Sequence, residues 1–413
     1  MEKLAIQTKT TLSDRSTTEN GTKVGWRKVK LGEILEITSS KRIFMSEYKK
    51  SGVPFYRGKE IIEKHNGADE ISTPLFISEE KFSEIKNRFG APKENDILLS
   101  SVGTLGVPYM VKKDEQFYFK DGNLTWFRNY SNNADPKFIY YWLTSRVGQN
   151  SILSSTIGSS QQALTIDGLK KTEINLPDNV SDQKRIADIL SAFDDKIENN
   201  NKIIKNLEET TRSIFKEWFV KFKFPGSEKI KMVDSELGKI PDGWKVKNVL
   251  EIIKRIPSGK KYDNKTALPK GNVPILDQGQ SGWIGFHNDE PGVSASIDEP
   301  VVVFTNHTCN YWLITYPFSA IQNILPYIGI NGYPTLFIYY LTREKIKMQE
   351  YKGHWPDFEQ QEFLVPMPKL AEEYSALIGP IVKKIIKSET ENKKLSVIRD
   401  LLLSKLMSGE IRV

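Results

Sequence analysis

The sequence predicts an α+β protein: two mixed α/β domains joined by two long antiparallel helices that form a coiled-coil spacer, with a pseudo-two-fold internal repeat. Three observations predict it. The chain has 413 residues, too long for one ordinary domain and suited to two or three. Short segments of the first half return in the same order in the second. Each half then runs into an apolar pattern with the alternating three- and four-residue spacing of a helical seam.

The repeat opens with Gly25-Trp26-Arg27-Lys28 and the residues up to Ile37, which return as Gly243-Trp244-Lys245-Val246 and the residues up to Ile253. Gly52-Val53-Pro54-Phe55 is matched by Asn272-Val273-Pro274-Ile275. Asn95-Asp96-Ile97-Leu98-Leu99-Ser100 is matched by Asp298-Glu299-Pro300-Val301-Val302-Val303-Phe304. Phe138-Ile139-Tyr140-Tyr141-Trp142-Leu143-Thr144 reappears as Phe337-Ile338-Tyr339-Tyr340-Leu341-Thr342. Each copy closes on an apolar-proline segment, residues 174–177 and 363–368. The period is far longer than the ~20–50 residues of solenoid units, so a whole domain plus a helix is duplicated. This divides the chain into a polar tail at 1–24, a first domain at 25–180, a central helix at 181–223 and a connector at 224–242. A second domain at 243–370 and a C-terminal helix at 371–413 complete it.

The first helical seam uses Ile186, Leu190, Phe193, Ile197, Ile204, Leu207, Ile214 and Trp218, and turns polar at Asn200 and Thr211. The second uses Tyr374, Ile378, Ile381, Ile385, Leu395, Ile398 and Leu402, with Ser388 and Asn392 polar in its middle. Antiparallel pairing sets Glu198-Asn199-Asn200 beside Glu391-Asn392, polar facing polar, which costs stability and favours one register. Pro380 lies in the first turns of the second pattern, so that helix either starts near it or is kinked there.

Lysine and arginine number 59 against 52 acidic residues, a net charge of +7 that suggests a polyanionic partner. Cys309 is the one cysteine, so no intramolecular disulfide forms and a reducing cytoplasm is expected. No window reaches the ~18 apolar residues of a membrane span, so no membrane is expected as a partner. His307-Thr308-Cys309 is the nearest approach to a reactive constellation, yet it lacks the convergent ligands of a metal site and the oriented base of a thiol nucleophile. Nucleotide-binding glycine loops and the adenine-methyltransferase Asn/Asp-Pro-Pro-Tyr/Phe segment are missing too. The sequence thus argues against intrinsic catalysis and against a bound cofactor.

Several segments resemble the specificity subunit family of Type I restriction–modification systems. The most specific is Lys216-Glu217-Trp218-Phe219-Val220-Lys221-Phe222-Lys223-Phe224-Pro225-Gly226, followed by Ser235-Glu236-Leu237-Gly238-Lys239-Ile240-Pro241-Asp242-Gly243-Trp244. Gln183-Lys184-Arg185-Ile186, Asp194-Asp195-Lys196-Ile197 and the C-terminal Leu402-Leu403-Ser404-Lys405-Leu406-Met407-Ser408-Gly409-Glu410-Ile411 add to it. The resemblance implies two target-recognition domains, each binding one half of a bipartite, asymmetric site on double-stranded DNA. It also implies that the helices dock two modification subunits, adenine methyltransferases that carry S-adenosylmethionine. Restriction subunits with an ATP- and Mg-dependent motor and nuclease would join them. A coiled-coil DNA-binding regulator or scaffold without a modification partner is the alternative.

Candidate DNA contacts follow from residue type and place. Ser159, Ser160, Gln161 and Gln162 bring short donors and amides to a polar stretch, and a glutamine amide can bond an adenine edge bidentately. The matching stretch of the second copy holds His354 and Trp355. Ser101 and Thr104 belong to Ser100-Ser101-Val102-Gly103-Thr104-Leu105-Gly106, a loop after a predicted strand that lacks the lysine of a nucleotide-binding loop. Lys41, Arg42, Arg57, Lys59, Arg128, Lys260 and Lys261 are candidates for phosphate or guanine contacts.

Overall fold

The computed structural model describes residues 25–68, 71–156, 162–279, 281–343, 345–347, 350 and 352–413. The expected tail at 1–24 lies outside them. The chain divides into two compact units, Met1–Asn199 with Asn392–Val413 and Asn200–Glu391.

In the first unit the chain passes through β1 (Trp26–Lys30), α1 (Leu31–Ile34), β2 (Glu36–Thr38), β3 (Val53–Tyr56), α2 (Gly58–His65), β4 (Phe76–Ile77) and α3 (Glu79–Phe89). It continues through β5 (Ile97–Ser100), β6 (Pro108–Met110), β7 (Tyr118–Phe119), β8 (Leu124–Arg128), α4 (Pro136–Thr144), α5 (Arg146–Leu153), α6 (Ile166–Lys171) and β9 (Glu173–Pro177). One sheet has the order β2-β8-β5-β6, a second β4-β3-β7, and β1 pairs with β9. The whole of β5 is buried. Its Ile97 and Leu99 face a core shared with Phe138 and Trp142, while Leu98 faces a second core with Phe119 and Trp126. An uninterrupted apolar run is what a strand covered on both faces requires.

A long helix, α7 (Val180–Phe215), leaves β9. Its Gln183 is fully buried at the joint. The side-chain Oε1 accepts from Asp135 N (2.9 Å), and Nε2 donates to Asn133 O (3.1 Å) and Pro177 O (2.9 Å). One carboxamide thus satisfies three backbone groups that burial would leave unpaired. The helix ends at Phe215, short of the expected 223, in a π-turn over Lys216–Val220. Four aromatic side chains there, Phe215, Trp218, Phe219 and Phe222, turn into the second unit's core, and a wider turn aims them together.

The connector is more than a linker. It forms a hairpin of β10 (Met232–Ser235) and β11 (Gly238–Pro241), with Phe224 and Ile240 buried in the second core. Beyond it come β12 (Lys245–Asn248), β13 (Ile253–Arg255), β14 (Val273–Leu276), β15 (Trp283–His287), β16 (Val301–Thr305), β17 (Tyr311–Ile314), β18 (Ser319–Ala320) and β19 (Ile324–Gly329). Then follow α8 (Thr335–Thr342), α9 (Trp355–Glu359), β20 (Glu362–Val365) and α10 (Pro368–Met407). The sheet orders are β13-β19-β16-β17 and β15-β14-β18, with β12 paired to β20. Strand for strand this is the order of the first unit, including the parallel pair, β3 with β7 and β14 with β18. Strand β16 repeats the two-faced burial of β5: Val302 and Phe304 face one core, Val301 and Val303 the other.

Helix α10 begins at Pro368 rather than 371 and runs through Pro380 without a break. A proline at the first helical position lacks only an N–H that would be unpaired anyway. The joint before it has no glutamine; instead Tyr333 donates its hydroxyl to Pro366 O (2.9 Å). The helix stops at Met407, not at 413. Gly409 adopts φ +63°, its N–H donates to Leu406 O (3.0 Å) and Glu410 N donates to Lys405 O (2.8 Å), a Schellman end.

Within each unit the two long helices run antiparallel. In the first, Arg399 pairs with Asp194 (2.5 Å), and Ile186 and Leu190 share a core with Leu406 and Met407. In the second, Asn200 Nδ2 donates to Glu391 (3.0 Å) and Tyr374 lies over Thr211, its hydroxyl donating to Thr211 O (3.4 Å). Replacing Gln183 by alanine is expected to cost about 1–3 kcal/mol, since it orphans buried backbone groups. Thermal unfolding checks it, against Lys184→Ala on the exposed neighbour, expected within about 0.5 kcal/mol of the parent.

Candidate nucleic-acid interface

Strand direction decides where the candidate residues go. In the first unit β8 is antiparallel to both β2 and β5, so the chain leaving β2, the chain leaving β5 and the chain entering β8 meet at one edge. The chain leaving β7 enters β8 across residues 120–123, which brings the parallel β3–β7 pair to the same edge. Hydrogen bonds tie these ends together: Lys41 N to Tyr118 Oη (2.8 Å), Lys120 N to Tyr56 O (2.8 Å) and Ser101 N to Asn123 O (2.9 Å). Residues 162–164 back onto the same loop, with Val102 bridging Ala163 and Leu164 N donating to Ser101 O (3.0 Å).

Lys41, Arg42, Thr104 and Gln162, scattered in sequence, therefore share one edge, and all four are exposed. Lys41 Nζ sits 4.5 Å from the Phe89 ring centre, and Arg42 pairs with Asp121 at 2.9 Å while 69% exposed. Thr104 stands between Gly103 (φ +80°) and Gly106 (φ +76°), whose left-handed backbone makes the loop tight. Ser159, Ser160 and Gln161 lie outside the described residues.

Three candidates of this unit have other duties. Ser101 is buried, its hydroxyl bonded to Thr125 Oγ1 (2.7 Å) and donating to Leu99 O (3.2 Å). Arg57 stands at the edge, but its guanidinium is taken by the buried Glu60 and by Thr73 (3.0 Å). Burial pushes the Glu60 carboxyl up, and the hydrogen bonds from Arg57 outweigh it and leave the group below the usual carboxylate range. Arg128 is at the far end of β8, bonded to Glu36 (2.7 Å) and stacked 4.3 Å from the Trp126 ring centre. Its hydrogen bond holds the Glu36 carboxyl below its ordinary range. Lys59, in the first turn of α2, is exposed and 3.7 Å from Glu63.

The second unit builds the same edge from β13, β14, β16, β18 and the entry to β19. Asn306 N donates to Asn323 O (3.0 Å), as Ser101 N does to Asn123 O, and Ile321 N donates to Leu276 O (3.1 Å). The loop after β16 is fixed from two sides. His307 N donates to Gln278 Oε1 (2.9 Å) and Thr308 Oγ1 to Gln278 O (3.1 Å). From the other side His354 N donates to Asn306 O (2.9 Å), and the His307 ring Nδ1 lies 2.8 Å from Lys352 O. Residues 352–354 thus back onto this loop as residues 162–164 do in the first unit.

Lys260 reaches this edge, two-thirds exposed and paired with Asp289 at 2.9 Å; Lys261 is exposed and contacts Ser258. His354 and Trp355 are interior side chains. His354 bonds Asp357 (3.0 Å), and Trp355 packs among Phe304, Tyr327 and Phe358. Sequence reasoning passes over Gln278 and Asn306, and weighs His307 only as part of a reactive constellation, not as a DNA contact. Matching β5 to β16 residue by residue carries the 101–106 loop onto 306–310 and finds Asn306 and His307; Gln278 follows from matching β3 to β14, as it lies two residues past the end of β14. Among the described residues no group of three His, Cys, Asp or Glu is placed to hold a metal ion, and no helix is long and apolar enough to cross a membrane.

Residues 23–209 match the model of the Type I restriction modification DNA specificity domain. The chain is 27% identical over 301 residues to the Type I restriction enzyme MjaIX specificity subunit of Methanocaldococcus jannaschii, covering 67% of this chain and 69% of that one. It is 24% identical over 425 residues to the putative MjaX specificity subunit of the same organism, across 94% of both chains. The fold matches the crystal structure of a Type-I restriction-modification S subunit from M. genitalium with TM-score 0.62 at 17% identity, covering 95% of this chain and 98% of that one. Over these lengths the chain is similar to specificity subunits of Type I restriction–modification systems, and its residues 23–209 match their DNA specificity domain.

Proposed function

We propose that each unit reads one half of a bipartite, asymmetric DNA site through the loop edge described above, and that the chain is a non-catalytic specificity subunit. The observation that carries this is the recurrence of one edge, with the same backbone ties, on two units whose edge side chains differ. A shared scaffold with different readers is what an asymmetric bipartite site requires. On the first edge Thr104 and Gln162 supply base-reading groups, joined by Ser159, Ser160 and Gln161, which directly precede Gln162 in sequence, and Lys41, Arg42 and Lys59 meet phosphates. On the second, Gln278 and His307 read bases, with Lys260 and Lys261 toward the backbone. Gln278 is well suited: its Oε1 is held by the His307 N–H, which fixes the plane of the carboxamide and leaves its Nε2 as a donor. Ser101, His354 and Trp355 support these edges from behind, Arg57 stands at the first edge with its guanidinium taken by Glu60, and Arg128 lies at the other end of β8.

The long helices act as a pseudo-two-fold, coiled-coil spacer between the target-recognition domains and dock two modification subunits. In support of docking, Val397, Ile398 and Leu401 are 61%, 45% and 61% exposed on α10, apolar surface on an otherwise polar stretch. Double-stranded DNA, modification subunits carrying S-adenosylmethionine and restriction subunits using ATP and Mg would form the cytoplasmic assembly.

Methylome sequencing of a methylation-free host expressing the chain with its modification subunit tests the proposal. Adenine methylation at one bipartite motif is expected, lost when this chain is omitted. Gln278→Ala is expected to relax one half of the motif and Gln162→Ala the other, each by about 1–3 kcal/mol of discrimination. A motif unchanged by both variants contradicts the assignment of the edges. Affinity is also expected to fall with salt, log K losing about 0.9 per neutralised phosphate for each decade; a flat response contradicts phosphate contact.

A further inference from the structure

The loop between β2 and β3 carries a feature that base reading and phosphate contact leave unused. Phe44 is 62% exposed and Met45 83%, adjacent apolar side chains at the edge that holds Lys41 and Arg42. The backbone beneath them is held in place. Met45–Glu47 is a 3-10 turn, the Phe44 N–H donates to the Glu47 carboxylate (2.8 Å), and Lys81 holds that carboxylate at 3.1 Å. Ile43 on one side is buried in a core, and Lys49 N on the other donates to Phe76 O (2.8 Å). A loop anchored this closely and presenting two apolar side chains is not collapsed onto its own domain. It is built to put them into something else.

The charge around the pair selects the occupant. Lys41 and Arg42 precede it and Lys49 and Lys50 follow it, all exposed; the intervening acid, Glu47, is neutralised by Lys81. Apolar side chains ringed by cations fit a polyanion with an apolar interior, which is stacked duplex DNA. Proteins that bend DNA insert Phe, Leu, Ile or Met between base steps while cations hold the flanking phosphates. The matching loop of the second unit, between β13 and β14, has no such pair among its described residues: its exposed apolar residue, Leu268, is bonded through its backbone to Phe286.

We propose that Phe44 and Met45 form a wedge that enters a base step at the half-site read by the first unit, unstacking it, so that the two half-sites are recognised differently, one with and one without local distortion. This rests on the DNA-reading function proposed above. The distortion is read as specificity because its cost depends on the step being opened.

The test uses the complex of this chain with its modification subunit, on duplexes bearing 2-aminopurine at successive positions of both half-sites other than the methylated adenines. The parent is expected to raise fluorescence at one step of the first half-site and at none of the second. Phe44→Ala with Met45→Ala is expected to abolish that rise and weaken specific binding about tenfold, with non-specific binding and thermal stability unchanged. Phe44→Leu with Met45→Leu, which keeps an apolar wedge, is expected to restore most of both. A parent that binds its motif without any fluorescence rise overturns the wedge alone, as does an alanine variant that binds and fluoresces like the parent. Self-association lost in the alanine variant with DNA affinity unchanged overturns it in favour of a protein contact. A parent without sequence-specific binding overturns the DNA-reading function as well.

Discussion

A strand buried on both faces has no side chain left for recognition, and this constraint shapes both units. Strands β5 and β16 each commit one set of alternate residues to a core under the helices and the other set to a core between the two sheets. Each fully buried aliphatic or aromatic side chain is worth about 1.5–3 kcal/mol, so these strands anchor their units and tolerate little change. Variation is pushed to where the strands end. There the backbone is tied by Ser101 N to Asn123 O in one unit and Asn306 N to Asn323 O in the other, and the side chains beyond are free to differ.

The joints between strand and long helix obey a similar economy of backbone groups. In the first unit Gln183 reaches back from the helix to the loop before α4; in the second Tyr333 reaches forward from the corresponding loop to Pro366 O. Different side chains on opposite sides of the joint satisfy the same buried carbonyl. The far ends of the helices are equally fixed. Gly409, just past the end of α10, comes within 3.1 Å of Trp26 if given a Cβ, and the segment just past α7 packs Phe219, Phe222 and Phe224 around Trp244. Trp26 and Trp244 open the two copies of the repeat, so each unit is closed by the end of a long helix.

Much of the fold was legible because its signals are periodic. The apolar runs at β5 and β16, the two long helices and the repeated Gly-Trp openings rest on spacing alone, although Ile398, expected in the second seam, is 45% exposed. The polar break at Asn200 was legible for the same reason, and it does face Glu391. Boundaries were less so. The π-turn at Lys216–Val220 and the Schellman end at Gly409 are local backbone choices inside continuous helical patterns. The candidate contacts divide in the same way. Lys41, Arg42, Thr104 and Gln162 converge because strand direction carries them to one edge. Arg57 and Arg128 share Arg42's residue type, yet Arg57 is bound to a fully buried Glu60 and Arg128 is largely covered at the other end of β8, whereas Arg42 stays 69% exposed beside Asp121; residue type reveals none of this. Trp355 was read as a contact from its place in the repeat, but an indole surrounded by Phe304, Tyr327 and Phe358 is a core residue.

The central claim is that recognition occupies the matching strand-end edges of both units. Hydrogen exchange of the assembled complex, with and without its cognate duplex, tests it most directly. Protection on DNA binding is predicted at residues 101–106 and 121–123 and again at 306–310 and 321–323, with little change around Arg128. Protection confined to one unit, or centred on the opposite end of β8, would contradict the account.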